Sequence, residues 1–473
     1  MTSWFRKTGV DTDKLPPGDL GASFVGNTFS FHHDAQSLIL SNLRRHPDAS
    51  VLRAKVIGRD VTLVLNHSIA SAVLDQSAPH TESSHPRGAK MENENNTESR
   101  TRFSHREAYK QLIGTFFSEP NILLEDEHER DRPSHRAGWD DQLSNLFGSN
   151  GWTAIETNMR SIVSGYRQKW VGSSAVDLYE ACKEISHDLL FYVFLGINQD
   201  RDRELFDRAM ATSSTSSKGQ FAIPLRANIG GMFESTHSRG LRAQAEFNEI
   251  VSERISGNHC PFLGDVATRN DESKSGISHA SLQSHISMFS SSLVIKALSS
   301  YLTFALLQQA HHPHDSLDWL LLESERLSPP IIGVLRRVLD KPWKPTPNLE
   351  IPMGWDAWLY FPLINRDRKV YGDDANVFRA DRWSTKGLAE PMTLGRGGKI
   401  CLGKSLVRRI GKIVLEELGR DGVRCEVEGE IERSVQDFLG WTDDEVVRGD
   451  GWPGVKQLPV QRPREAVMVR FER

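Results

Sequence analysis

Cysteine is scarce in this chain: Cys182, Cys260, Cys401 and Cys425 are scattered through 473 residues, with no CxxC pair. That excludes a disulfide framework and a structural zinc site, and it suits a reducing compartment. Long apolar runs are missing too. Nothing approaches the roughly 20 residues needed to span a bilayer, so no transmembrane anchor is expected. The most apolar long segment, 286–307, is interrupted by serines and by Lys296, and it reads as a buried helix. The first twenty residues contain no apolar h-region, which argues against a cleaved signal peptide. Positive charge is not in excess. With 58 Lys and Arg against 62 Asp and Glu, the net charge is -4, and nucleic acid is not an expected partner.

What remains is an ordinary globular composition, 38% hydrophobic and 25% charged, on a chain long enough to enclose a cofactor. Residues 1–14 read as a tail ahead of the stiff Leu15-Pro16-Pro17-Gly18 turn, and 15–473 as one domain. Segments 50–57 and 60–66, rich in Val and Leu, suit a two-stranded β unit turning near Gly58-Arg59. Residues 76–105 are polar and almost free of large apolar groups, which predicts a mobile loop or insertion. From about 107 to 326 the pattern is helical. After 340 come short strand-like runs, Pro-rich turns and one more helix at 402–419. The expected fold class is mainly α with small peripheral β-sheets (α+β).

The segment with the most chemistry is LGRGGKICLGKSLVRRIGKIVLEEL, residues 394–418. A Gly-rich loop presents Cys401 just before a helix whose apolar positions Leu402, Leu406, Ile410, Ile413, Val414 and Leu418 recur at helical spacing. Free amides and the dipole at a helix N-terminus would stabilise a thiolate there. A buried cysteine that merely opens a helix fits the local pattern equally well. A nucleotide-binding loop fits less well, because no strand precedes the GRGG run and GxGxxG is absent.

This segment resembles the cysteine loop of the cytochrome P450 family, Phe-x-x-Gly-x-Arg-x-Cys-x-Gly. Gly397, Cys401 and Gly403 match, whereas Leu394 stands at the Phe position and Lys399 at the Arg position. Lys399 keeps the charge but loses the bidentate fork. Further likenesses follow in the family's order. Glu323 and Arg326 form Glu-x-x-Arg on one helix face, stopped at once by Pro329-Pro330. FRADRW (378–383) resembles the segment that supplies a third member, Arg382. HERDR (128–132) resembles the pattern in which His128 and Arg132 reach the haem propionates, and Arg336 lies where another propionate partner is usual. The resemblance covers about residues 15–473, and its style is that of fungal secondary-metabolism members.

The resemblance implies the cytochrome P450 fold, haem b with Cys401 as the iron ligand, and propionates held by His128, Arg132, Arg336 and Lys399. It implies a monooxygenase that hydroxylates or oxidatively couples a small organic substrate in secondary metabolism. Electrons would come from a separate NAD(P)H-dependent reductase or iron–sulfur donor. Lys404, Arg408 and Lys412 recur every four residues and would form its docking face, or else a merely solvated one. The location would be cytoplasmic, or peripheral at the endoplasmic reticulum. In the family's long helix over the iron, the acid–alcohol pair falls here on Ser292 and Leu293, so neither carboxylate nor threonine is present. Ser291 and Ser292 become the candidate groups for placing water in proton delivery. The missing pair also keeps open a redox-independent haem-thiolate isomerase or dehydratase, and a non-catalytic haem sensor is the third class.

Overall fold

The computed structural model describes residues 12–22, 26–56, 58–76, 102–117, 119–126, 135–148, 150–222, 226–229, 233–264, 277–429, 455–458 and 460–473. His128, Arg132 and most of the polar stretch 76–105 lie outside these residues.

Helices dominate what is described. In chain order the longer ones are α1 (Thr28–Arg45), α2 (His67–Gln76), α3 (His105–Ile113), α4 (His135–Gly148), α5 (Asn150–Trp170) and α6 (Leu178–Leu195). They continue as α7 (Arg203–Gln220), α8 (Thr236–Ser256), α9 (His279–Phe289), α10 (Ser292–His311), α11 (Leu317–Leu327) and α12 (Lys404–Leu418). Many open on the side chains that chemistry favours at a helix start. Asp177 accepts from the amides of Tyr179 and Glu180, Ser278 from Ser281, and Ser316 from Trp319.

One sheet of five strands flanks the helices: β1 (Val51–Val56), β2 (Arg59–Val64), β3 (Phe103–Ser104), β4 (Gly333–Val338) and β5 (Asp356–Tyr360), in the order β1-β2-β5-β4-β3. The β1–β2 hairpin pairs Val51 with Val64, as the Val/Leu pattern suggests, and β5 joins β2 in parallel with Asp356 opposite Val61. The edges of the polar stretch differ from expectation. Gln76 closes α2, and Phe103 is buried and pairs with Val338. The reason is apolar contact: Phe103 meets Trp343 edge-on, ring centroids 5.3 Å apart, inside a core cluster with Val51 and Leu359.

The main core lies where α10 is surrounded by α6, α11 and α12. Residues 298–308 of α10 are buried without a break, so this helix has no solvent face. No single helix among the described residues is long and apolar enough to cross a membrane. The bent pair α9–α10 passes that test by length and composition, and it is this core element.

The 286–307 segment is not one continuous helix. Its axis bends by 43° at Ser290-Ser291, where Ser291 adopts extended backbone angles. Serine chemistry accounts for the break. The Ser290 hydroxyl donates back to the Ile286 carbonyl at 2.6 Å, and the Ser292 amide donates to the Ser213 hydroxyl on α7 at 2.6 Å.

The core also makes stability depend on pH. His187 on α6 is buried and one ring nitrogen lies 2.8 Å from the Lys183 carbonyl; burial lowers its pKa to about 4. A depressed histidine contributes stability above its unfolded pKa and loses it as pH falls towards the folded value. The unfolding free energy should therefore drop between about pH 6.5 and 4. His187→Gln should flatten that decline by at most about 3 kcal/mol, measured by urea unfolding across the range. An unchanged slope would contradict the assignment.

Candidate active site

Between α10, α12, the β-sheet and α3 lies a cavity of about 1450 Å³. Cys401 opens onto it. The loop that delivers the sulfur folds as a tight turn pair: Gly395 and Gly397 have φ of +77° and +68°, which L side chains rarely adopt. The Cys401 amide donates to the Leu394 carbonyl at 2.7 Å, closing the loop across seven residues. The sulfur lies beside Gly403, just ahead of α12.

Cys401 is the exposed one of the four free cysteines, and its free surface belongs to the cavity wall. Burial pushes its thiol above the usual range, opposed by the Gly403 amide and by the charges of Arg136 and Lys404. Cys182, Cys260 and Cys425 are raised further, to about 12, and none lines the cavity.

Cations gather on the same wall. Arg336 on β4 is buried and donates to His105 Nδ1 at 2.9 Å and to the Leu335 carbonyl at 2.9 Å. Burial, with Arg336 and Lys399 nearby, holds His105 well below the usual histidine range, so it stays neutral and accepts. Lys399 donates to the Ile122 carbonyl at 3.0 Å, and Arg136 on α4 to the Ile400 carbonyl at 2.7 Å. Lys399, Arg136 and His105 line the cavity, and Arg336 lies just behind that lining, bonded to His105. A sulfur donor beside buried positive charge suits a metal-centred group carrying carboxylates. Haem fits that donor set.

The expected residues are only partly brought together. Lys399, Gly403 and Cys401 share the wall; Arg336 is buried behind it against His105, and Gly397 acts through the loop turn. His128 and Arg132 lie outside the described residues. Arg136 and His105 were missed in the sequence. Arg136 stands four residues beyond Arg132 in the sequence, which was a usable signal, whereas nothing local marks His105.

The two serines part company. Ser291 lines the cavity with its hydroxyl buried and without a hydrogen-bond partner. Ser292 is buried but outside the cavity lining, because its amide is tied to α7. Leu293, beside Val294 and Ala297, does face the cavity.

Glu323, Arg326 and Arg382 meet in the interior. Arg326 grips Glu323 with two bonds of 2.9 and 2.7 Å, and Arg382 adds one of 2.9 Å. Their remaining donors reach backbone carbonyls of Asn365, Tyr371, Asp374 and Val377. This cluster lies beside the cavity wall, not on it.

The basic stripe on α12 is not a free positive face. Lys404 pairs with Glu390, Arg408 with Glu325 and Glu390, and Lys412 with Asp318. Arg409 stacks over Phe147 and Trp152. The sequence spacing of the cations was correct, but their acidic partners come from distant segments.

No family model matches the chain. Among curated proteins it is similar to cytochrome P450 120 of Synechocystis sp., 21% identical over 85% of this chain and 88% of that protein. Shorter stretches match cytochrome P450 monooxygenase gsfF of Penicillium aethiopicum, 32% identical over 18% of each chain. Echinocystic acid 23-monooxygenase of Saponaria officinalis is 34% identical over 20% of this chain and 19% of its own. These last two alignments span under a fifth of the relatives' length. Among solved structures, retinoic acid bound cyanobacterial CYP120A1 superposes with a TM-score of 0.70 at 17% identity, covering 97% of this chain and 99% of that one. The cytochrome P450DA heme domain gives 0.69 at 15% identity, covering 97% and 98%. Motif order, fold and sequence relatives converge: the chain has the cytochrome P450 fold and is similar in sequence to cytochrome P450 proteins.

Proposed function

We propose that this protein is a haem-thiolate monooxygenase, with Cys401 as the iron ligand of haem b, oxidising a small apolar substrate in secondary metabolism. The observation that carries this reading is the Cys401 sulfur on the wall of a large cavity that Lys399 and Arg136 also line, with Arg336 behind His105. Haem, once bound, supplies the oxidising centre; the protein supplies orientation, charge and exclusion of water. Lys399 and Arg136 would hold its carboxylates, with Arg336 behind them and His105 orienting Arg336 as a neutral acceptor. Electrons come from a separate reductase or iron–sulfur protein.

An apolar substrate is supported by the walls over which it would lie, Leu190, Phe194, Leu293, Val294 and Ala297. The relatives' names point the same way: one is an echinocystic acid oxygenase, another an 11-oxo-beta-amyrin oxidase, and a structural neighbour holds retinoic acid.

Ser291 is the one cavity-facing hydroxyl at the helix break that lacks a partner among the described residues. A serine hydroxyl is too weak an acid to donate at neutral pH, so its role is to hold a water or a polar group of the substrate. Ser291→Ala should lower turnover by less than roughly tenfold, unlike the 10²–10⁴ of a dedicated proton donor. Leu293→Thr places a hydroxyl on the same wall and should raise the fraction of electrons that end in product. Equal losses from Ser291→Ala and Ser292→Ala would contradict the different placement of the two side chains.

The function is tested by titrating haem-loaded protein with apolar secondary metabolites and following the iron spin state. Compounds that shift it are then supplied with reductase and NADPH. Oxygenated or coupled product, dependent on reductant, is expected. Full conversion with neither reductant nor peroxide would overturn the oxidative reading and indicate an isomerase.

A further inference from the structure

Glu325 is a carboxylate that neither the loop, the carboxylate-binding cations nor the Glu323 cluster requires. It follows Glu323 by two residues on α11, roughly 200° around the helix axis. The two acids therefore point opposite ways, Glu323 to its arginines and Glu325 into the cavity wall that also carries Cys401. Glu325 is fully buried. Arg408 of α12 clamps it, Nε to Oε2 at 3.0 Å and Nη2 to Oε1 at 3.1 Å.

The same guanidinium continues outward to Glu390 at 3.1 Å, and Glu390 accepts Lys404 at 2.6 Å. Charges thus alternate from the interior to the surface: Glu325, Arg408, Glu390, Lys404. From α10, Tyr301 faces the group, its hydroxyl buried without a partner. A leucine would fill a buried position between three helices without this desolvation cost. The carboxylate and the Cys401 sulfur line the same cavity, with no helix between them and that space.

We infer that Glu325, held by Arg408, is a positioning residue that lowers the electron affinity of the iron bound at Cys401. The inference rests on the haem-thiolate reading above. A negative charge near the sulfur disfavours the additional electron of the ferrous state. The step concerned is a one-electron transfer from an external donor to ferric iron, with no bond made or broken in the protein.

The test is mediated redox titration of haem-loaded protein at about pH 8, above the value of about 7 to which burial raises Glu325. Glu325→Gln removes the charge and keeps the shape. It should raise the ferrous-to-ferric ratio at a fixed potential about tenfold, equivalent to about 59 mV for one electron. Glu325→Asp keeps the charge and should stay near the parent. Glu325→Met removes the charge while filling the volume, and serves equally if the glutamine variant loads haem poorly. Glu417→Gln is the control: Glu417 is also buried and paired with arginines, Arg160 and Arg420, but lies at the far end of α12. Equal potentials in the parent and both neutral variants, or an equal shift from Glu417→Gln, would overturn the inference while leaving Cys401 as ligand intact. A parent protein without a thiolate spectrum would overturn both.

Discussion

Glu323→Ala is expected to yield protein that is poorly folded and depleted of haem. Two guanidinium groups, Arg326 and Arg382, are almost completely buried and share that single carboxylate. Glu323 also accepts the Arg379 amide at 3.0 Å and the Trp383 indole at 3.1 Å. Removing it strips Arg326 of its counter-charge and leaves Arg382 with only the half-buried Asp374 at 3.2 Å, at a cost of roughly 3–5 kcal/mol. That is a large part of the total stability of a folded domain. The arginines cannot turn to solvent, because their other donors are fixed on carbonyls of the 365–377 segment.

Arg326→Ala should be comparably damaging for the converse reason, an interior carboxylate stripped of its bidentate partner. Denaturant unfolding and haem content of purified protein check both variants. Stable, haem-replete protein from both would show that the cluster is dispensable. The cluster also connects to the site: it ties α11 to the 371–383 segment, and Asn365, whose carbonyl Arg326 holds, bonds Thr393 just before the cysteine loop. A defect there should therefore reach Cys401 without touching it.

Where a sequence motif is a packing requirement, it was legible. Glu-x-x-Arg and FRADRW lie more than fifty residues apart, yet they were paired correctly through likeness to a family pattern. The β1–β2 hairpin followed from Val/Leu alternation around Gly58. The helix after Cys401 followed from apolar spacing and is observed as α12, Lys404–Leu418.

Other features depend on contacts that no local window contains. The break at Ser290-Ser291 arises because Ser213, 79 residues earlier, captures the Ser292 amide. That capture separates the roles of Ser291 and Ser292, which the sequence could only treat together. His105 was invisible because its meaning comes from Arg336, 231 residues away. The α12 cations looked like an open docking face for the same reason: Glu325, Glu390 and Asp318 arrive from two other segments. Charge spacing along a helix says which side chains share a face, not which partners meet them.

The second large effect is expected at Cys401 itself. Of the four cysteines, it alone lines the cavity, where it shares the wall with Lys399 and Arg136, cations suited to haem carboxylates. Cys182 and Cys260 are sealed in the core, and Cys425 lies on a strand paired with Phe471. Burial raises all three thiols to about 12, so they remain protonated and unreactive. Alanine at any of these three positions should leave the haem spectrum unchanged. Alanine at 401 removes the only thiol on the cavity wall among the described residues. The direct measurement is the spectrum of the reduced carbon-monoxide complex of the parent and of Cys401→Ala. The parent should show the red-shifted band of a thiolate-ligated iron, and Cys401→Ala should lose it completely. A thiolate band that survives in Cys401→Ala would contradict the assignment of the iron ligand and the function built on it.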